Sequence, residues 1–504
     1  MPPNDHKIGA LAAISYTIGN MIGSGIFISP TSVLKESGSV GSSLLVWGVC
    51  GVLSLLGSLC YIELATSIQR SGADLAYVQY VGWTPIASAF IWINVVALPC
   101  SAAIIAETFG EYCLQSWSTI RGHDTCVAEY TAKWARKLIG FCLICFLAAL
   151  NQYSLKRITA PFQIAASTSK IVATTLVILV GFYYLLFQGW TESFQAMLVG
   201  TNWAPGGLVL AIYAGLWAFS GWEILNFGTE EIKNPKWTFP VASFGGTMFV
   251  TIVYLAINVS YFTVLNREEM LESDAVAATF SNRVISFAPM VVPILIAVNL
   301  IGTLNTNFFM STRYYFAAAR SGFMPKAFGL LSPLHGSPRP AVILYACLTV
   351  AVSFFGDLDD FINVYTFCIM CQRVFTLAAL IKIRVDNIPV HDDAFRMPFV
   401  LLMFFICLCS LLIIVPIYQM PKLCVIGAGI LICSFLVYYL RKRFEHSWPR
   451  LTRLDWQFAN FCQKLLIVVP PEPVGHRRWT RRLSHNLGRP RVPHALMQRR
   501  SSRS

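Results

Sequence analysis

Twelve long, predominantly apolar stretches, joined by short polar segments, decide what this chain can fold into. They run over 8–34, 41–66, 79–112, 137–153, 159–187, 206–229, 239–264, 288–311, 340–356, 362–383, 397–416 and 422–440. A helix needs about 20 mostly apolar residues to cross the hydrocarbon of a bilayer, and inside it every backbone polar group must be satisfied by the segment itself. The expectation is an all-α membrane protein of twelve transmembrane helices. Only 12% of the 504 residues are charged and 56% are apolar, whereas soluble domains carry about 25% charge. The third stretch is long enough to need a bend. No small-residue cleavage site follows the first stretch, so it is expected to remain as a span.

Basic residues orient the spans. With both termini inside, the cytoplasmic loops hold 13 Lys and Arg against 8 on the other side, and the segment from Arg441 onward adds 15 more. The bias of Lys and Arg toward the cytoplasm therefore favours cytoplasmic termini. The chain divides into an N-terminus (1–7), a transmembrane domain (8–440), a cytoplasmic segment (441–473) and a basic tail (474–504) with nine arginines and no acid after Glu472. Such a tail reads as a disordered arm able to lie on anionic lipid. Nothing resembles a folded nucleic-acid-binding module.

The 15 cysteines form no metal-binding spacing. Cys142/Cys145, Cys368/Cys371 and Cys407/Cys409 fall inside apolar runs, where they read as small buried side chains. Cys126 differs, because it lies in the polar segment from Trp117 to Lys137. The inferred orientation puts that segment outside, where a disulfide persists. The sequon Asn258-Val259-Ser260 falls within a span, so no glycan is expected there.

Two spans are interrupted. The first reads Ile18-Gly19-Asn20-Met21-Ile22-Gly23-Ser24-Gly25-Ile26. Each glycine in a helix costs up to about 1 kcal/mol relative to alanine, so the cluster indicates either an unwound stretch or close helix packing through small residues. The sixth span carries a second small-residue break at Phe219-Ser220-Gly221-Trp222, followed by Glu223. Paired interruptions in corresponding spans of two halves mark the site of a transporter built from an inverted repeat.

Unwinding frees N–H groups at the start of one half-helix and carbonyls at the end of the other. The first suit a carboxylate and the second an ammonium group. Together they recognise the part common to all α-amino acids. Ser24, Gly25 and Ile26 are the candidates for the carboxylate, and Met21, Trp217 and Ser220 for the amine. Neither a metal nor a nucleophile is required.

Charges within the spans need a partner or a role. Lys170, deep in the fifth span, could stand where a related architecture holds a coupling sodium ion, supporting the broken first span from behind; alternatively it snorkels to the aqueous edge. Glu223 could be a counter-charge favouring cationic side chains, or neutral ones accompanied by Na+; alternatively it pairs with Lys170 or is protonated. Glu107 and Glu111, one turn apart, either line an outer vestibule or sit at the interface. Arg373 in the tenth span would neutralise one of these glutamates.

Several motifs resemble the light chains of heteromeric amino acid transporters, in the L-type and y+L-type branch of the amino acid–polyamine–organocation superfamily. They are Ile22-Gly23-Ser24-Gly25-Ile26-Phe27, Cys60-Tyr61-Ile62-Glu63-Leu64-Ala65-Thr66 and Ser71-Gly72-Ala73-Asp74-Leu75-Ala76-Tyr77. The others are the run from Gly221 to Pro235, Ser311-Thr312-Arg313-Tyr314-Tyr315-Phe316, and the run from Cys462 to Glu472. The resemblance extends from about residue 7 to residue 473. It implies a LeuT-like 5+5 inverted repeat with two appended spans, exchange of amino acids with or without sodium, and a disulfide from Cys126 to a single-span heavy-chain glycoprotein. It makes Trp217 an aromatic gate and Ser220 and Glu223 parts of the side-chain pocket, Glu223 being acidic as in the y+L-type members. The chain departs from the family in having Glu where that branch has Asp, in lacking prolines around Cys126, and in its Arg373 and arginine tail. Those departures bear on selectivity more than on mechanism.

The sequence thus points to an antiporter of cationic and large neutral L-amino acids in the plasma membrane. The alternatives are a selective neutral, aromatic or acidic amino acid transporter of the same fold, and an amino acid sensor that moves nothing. A channel lacks a repeated filter motif or rings of like charge, and an enzyme lacks a His/Cys or paired-carboxylate arrangement at a common depth.

Overall fold

The computed structural model describes residues 7–23, 25–121, 129–273, 276–284, 291–354, 358–392, 394–419, 421–444 and 449–470. All twelve apolar stretches are helical or broken-helical among these residues. In chain order the main helices are α1 (Ala10–Met21), α2 (Gly25–Ser37), α3 (Val40–Ile68), α4 (Asp74–Tyr80), α5 (Thr84–Arg121), α6 (Glu129–Leu150), α7 (Ala160–Phe187) and α8 (Pro205–Ala218). They continue with α9 (Ile224–Phe227), α10 (Gly246–Val264), α11 (Val291–Arg320), α12 (Arg339–Val352), α13 (Leu358–Val385), α14 (Phe399–Gln419), α15 (Pro421–Phe444) and α16 (Pro449–Leu466). The described residues contain no β-strand, only isolated bridges joining Ile8 to Ile232 and Leu331 to Val469.

Among the described residues, six helical segments are each long and apolar enough to cross a membrane, and α1 with α2 makes a seventh if the two arms, bent by 40°, count as one. Four more apolar helices are shorter, namely Pro205–Ala218, Arg339–Val352, Phe399–Val415 and Gly427–Leu440. The third stretch differs from the expectation. Its first residues belong to the separate helix α4, and α5 starts at Thr84 and runs on through Pro99 as one helix.

Packing places the broken helices at the centre. α1 lies against α7, α10 and α11, and α2 lies against α8 and α3. α5 packs on α11, α6, α12 and α15. Close approach explains two of the first span's glycines. A Cβ on Gly19 would come within 2.4 Å of the Gln163 and Ser167 side chains on α7, and one on Gly25 within 2.5 Å of the Ala218 Cα. The cluster therefore serves a break and helix contact together, since Gly23 and Ile22 lie between the two arms without helical structure.

Ion pairs tie the remaining motifs to the frame. Glu63 on α3 receives Arg384 of α13 in a two-pronged pair, Nε to Oε1 at 2.8 Å and Nη2 to Oε2, and also the Met397 amide at 2.9 Å. Glu231 pairs with Arg313 at 3.2 Å and Glu230 with Arg320 at 2.9 Å, fastening the segment after α9 to α11. Ile8 and Ile232 pair through the Ile8 amide on Glu231 O (2.9 Å) and the Lys233 amide on Ile8 O (3.0 Å).

Candidate functional site

The carbonyls at the end of a helix have no partner within it, and α1 ends inside the protein. Its Gly19 and Ile22 carbonyls are met by the ammonium of Lys170, at 2.5 and 2.8 Å. The same nitrogen donates to Thr303 Oγ1 on α11 at 2.5 Å. Lys170 is fully buried, so its charge sits against the negative end of α1 and not at an aqueous edge. Its stem lies beside Gly302, where a Cβ would come within 3.1 Å of Lys170 Cε. One side chain of α7 thus joins α1 to α11.

A second side chain joins the two breaks directly. The hydroxyl of Tyr254 on α10 donates toward Met21 O, the last carbonyl of α1, and lies 3.1 Å from Ala218 O, the last of α8. Its ring is held between Trp47, edge-on at 5.5 Å, and Phe219 at 4.8 Å.

The second break is shaped by Gly221, whose φ of +108° is open to glycine and strained for other residues. A Cβ there would come within 2.2 Å of Asn20 Nδ2. Asn20 is held by Thr306 Oγ1, which donates to its Oδ1 at 2.6 Å. The Ser220 amide and hydroxyl both donate to Trp217 O, at 3.1 and 2.7 Å.

Between the breaks lies a small, partly open recess with Met21, Gly23, Gly25, Trp217, Ser220 and Glu223 in its wall. Five of the sequence-selected site residues and the glycine between them therefore share one cavity. Ile26 is buried and absent from that wall, and Ser24 lies outside the described residues. Two of the proposed amine acceptors are engaged within the protein. Met21 O takes the Gly23 amide at 2.8 Å as well as Tyr254, and Trp217 O takes both donors of Ser220.

Glu223 pairs with Arg373, Oε1 to Nη2 at 2.9 Å, with side chains 13% and 7% exposed. Its other oxygen accepts the Gly221 amide at 3.3 Å. The guanidinium lies 4.8 Å from the centre of the Trp222 ring, which rests edge-on against Tyr61 at 5.0 Å. This changes two sequence readings. Lys170 is not the partner of Glu223, and the glutamates of α5 do not take Arg373. Glu107 pairs with Lys137 at 3.3 Å and Glu111 with Arg136 at 2.5 Å, joining α5 to α6.

The amino acid permease family model matches residues 8–439 of this chain. The chain belongs to the amino acid permease family. The permease is 39% identical over 475 residues to amino acid transporter protein 6 of Caenorhabditis elegans, an overlap covering 93% of this chain and 90% of that one. It is 33% identical over 469 residues to b(0,+)-type amino acid transporter 1 of Mus musculus, covering 92% and 93%. It is 34% identical over 468 residues to the cystine/glutamate transporter of Homo sapiens, covering 92% and 91%. The relatives are named as transporters, and the light-chain resemblance carried by the sequence motifs agrees with them. With several apolar helices of spanning length, the permease is a multi-pass membrane protein.

Sequence reasoning missed Tyr254, Thr303 and Asn20 as parts of this site. Asn20 was visible as a polar residue amid the glycines. Tyr254 and Thr303 carried no local signal, because each acts on a chain segment far away in sequence. Cys126 lies outside the described residues.

Proposed function

We propose that this permease exchanges cationic and large neutral L-amino acids across the plasma membrane by alternating access. In this reading twelve spans form a LeuT-like 5+5 inverted repeat with two appended helices and cytoplasmic termini. The light subunit would be joined through Cys126 to a single-span heavy-chain glycoprotein. What carries the proposal is one cavity walled by both helix breaks, with Met21, Gly23 and Gly25 of the first and Trp217, Ser220 and Glu223 of the second around it. The first turn of α2, with Gly25 and Ile26, offers N–H groups to the carboxylate, and Ser24, the preceding residue in the sequence, is assigned to the same role. Met21, Trp217 and Ser220 face the amine, and because the Met21 and Trp217 carbonyls already accept internal bonds, the amine must share or displace a donor there. Trp217 closes over the substrate, Ser220 and Glu223 border its side chain, and Lys170 holds α1 in place of a coupling cation.

The Arg373–Glu223 pair supports a second reading, in which the permease carries neutral amino acids alone. Glu223 is already compensated, so a cationic side chain has to compete with a tethered guanidinium, whereas a neutral one meets no net charge. The relatives named for cystine/glutamate and b(0,+)-type transport lie at similar identity, so uptake of glutamate and cystine is measured beside that of the two amino acids below, and uptake of either in place of both selects an acidic or cystine carrier.

In proteoliposomes, radiolabelled arginine and leucine are expected to enter only when the lumen holds an amino acid, with sodium varied separately. Arginine uptake that proceeds equally well into empty liposomes rejects exchange, leucine uptake without arginine uptake selects the neutral reading, and no flux with retained binding selects a sensor. A larger species on non-reducing electrophoresis, lost on adding thiol and in Cys126→Ser, is the expected sign of the heavy chain. Its persistence in that variant places the bridge elsewhere.

A further inference from the structure

The C-terminal helix α16 presents three distinct faces. One is docked: Ala459 and Cys462 form a small buried cluster with Ala327, Leu330 and Val468, and Leu466 packs against it. Polar contacts hold the same face. Asp455 Oδ1 accepts the Lys326 amide at 2.9 Å, Arg339 Nη1 donates to Leu466 O at 2.8 Å, and Leu331 and Val469 exchange backbone hydrogen bonds at 2.9 and 2.8 Å. The Lys326 ammonium lies 4.2 Å from the centre of the Trp456 ring. A second face is polar and exposed, with Arg453, Gln457, Asn460 and Lys464.

The third face is apolar and largely exposed, with the Phe458 ring meeting Phe328 edge-on at 5.9 Å. Leu454, Phe458, Phe461 and Leu465 recur at intervals of four, three and four residues, which places them in one stripe of a helix. They are 59%, 42%, 60% and 64% exposed. Four large apolar side chains in a row on a helix already fixed to the bundle are a surface made for a partner.

The position of the helix selects that partner. α15 carries exposed Val425, Ile432, Leu436 and Tyr439, an outward surface suited to lipid, and ends at Phe444. Five residue steps lead from Phe444 to Pro449, a reach of at most about 18 Å. α16 therefore starts close to the membrane boundary at which α15 leaves it. The charge is also suited to that boundary, because Lys442 and Arg443 are exposed at the end of α15, Arg453 and Lys464 flank the stripe, and nine arginines follow Glu472. An amphipathic helix with a basic polar face and an aromatic-rich apolar one lies in the plane of the interface, and anionic lipid attracts its cations.

We infer that α16 is an interfacial helix, its Leu454–Phe458–Phe461–Leu465 stripe buried at the acyl boundary of an anionic leaflet and its Arg453 and Lys464 among the headgroups. It ties the segment between α11 and α12 to the membrane plane. The inference is independent of what the permease transports.

The test uses the full-length chain in nanodiscs of phosphatidylcholine with or without phosphatidylserine. An environment-sensitive fluorescent amino acid is incorporated singly at Phe461 or Leu465 on the stripe, or at Gln457 or Asn460 on the polar face, which leaves the native cysteines untouched. Lipid carrying a nitroxide on its acyl chain is expected to quench the stripe positions and spare the polar ones, while aqueous iodide does the reverse. Phosphatidylserine is expected to increase the lipid quenching. Iodide quenching as strong at Phe461 and Leu465 as at Gln457 overturns the inference. So does shielding of the stripe from both quenchers, which assigns it to a protein or a second copy of the chain.

Discussion

Arg373 reaches from α13 across 2.9 Å to the carboxylate of Glu223, the residue that ends the second helix break. Both side chains are largely withdrawn from solvent, so neither can lose the other cheaply. Removing one member of a buried pair typically costs about 3–5 kcal/mol, whereas replacing both by uncharged residues is often neutral. Arg373→Met is therefore expected to lower thermal stability in detergent clearly, and Arg373→Met with Glu223→Gln to recover most of the loss. Additive losses would show that the pair is not coupled. In liposomes the single Arg373→Met variant, with its carboxylate uncompensated, is expected to raise arginine uptake relative to leucine. An unchanged ratio would remove Glu223 from substrate selection.

Tyr254 offers a cleaner test of the junction, because Tyr254→Phe deletes one oxygen and keeps the ring against Trp47 and Phe219. Met21 O keeps the Gly23 amide, while Ala218 O loses its Tyr254 contact. A buried polar group left unsatisfied costs about 1–3 kcal/mol. The expected result is a modest fall in melting temperature with a much larger fall in exchange rate, since the lost oxygen is what joins the two breaks. Transport that falls only in proportion to the folded fraction would make Tyr254 structural.

The contrast between the two tests mirrors what could be read from the sequence. The twelve apolar stretches and both interruptions were legible because helix length and glycine clustering are local properties. The buried position of Lys170 was legible in outline, since a cation amid apolar residues must face the protein interior. The partner of Glu223 was not. Arg373 lies 150 residues away in sequence, and no local pattern distinguishes pairing with Glu223 from pairing with Glu107 or Glu111. Tyr254 was hidden for a similar reason, being one tyrosine in an apolar helix until the fold brings two chain ends to its hydroxyl.

Lys170→Met keeps the bulk of the stem and removes the donor to Gly19 O, Ile22 O and Thr303. Two carbonyls at the end of α1 then lack their partner, at about 1–3 kcal/mol each. Poor yield and loss of uptake are expected. Lys170→Arg is expected to fail as well, because the end of the stem lies close against Gly302 and a planar guanidinium cannot take the place of a compact ammonium. Wild-type uptake in Lys170→Arg would mean that charge alone, without this geometry, supports α1.

Gly221 separates backbone geometry from side-chain space. Its φ of +108° strains any L-residue, and a Cβ would press within 2.2 Å of Asn20 Nδ2. If the contact dominates, Gly221→Ala loses uptake and the added change Asn20→Ala restores part of it by clearing the space. If the backbone dominates, the double variant stays inactive, because removing Asn20 leaves the dihedral unchanged. Strained dihedrals cost of order 1–3 kcal/mol, a sizeable part of the roughly 5–15 kcal/mol by which proteins are stable, so the backbone is expected to prevail. Uptake and melting temperature measured together decide it. A double variant that melts like the wild type and transports normally would show that this turn needs only room.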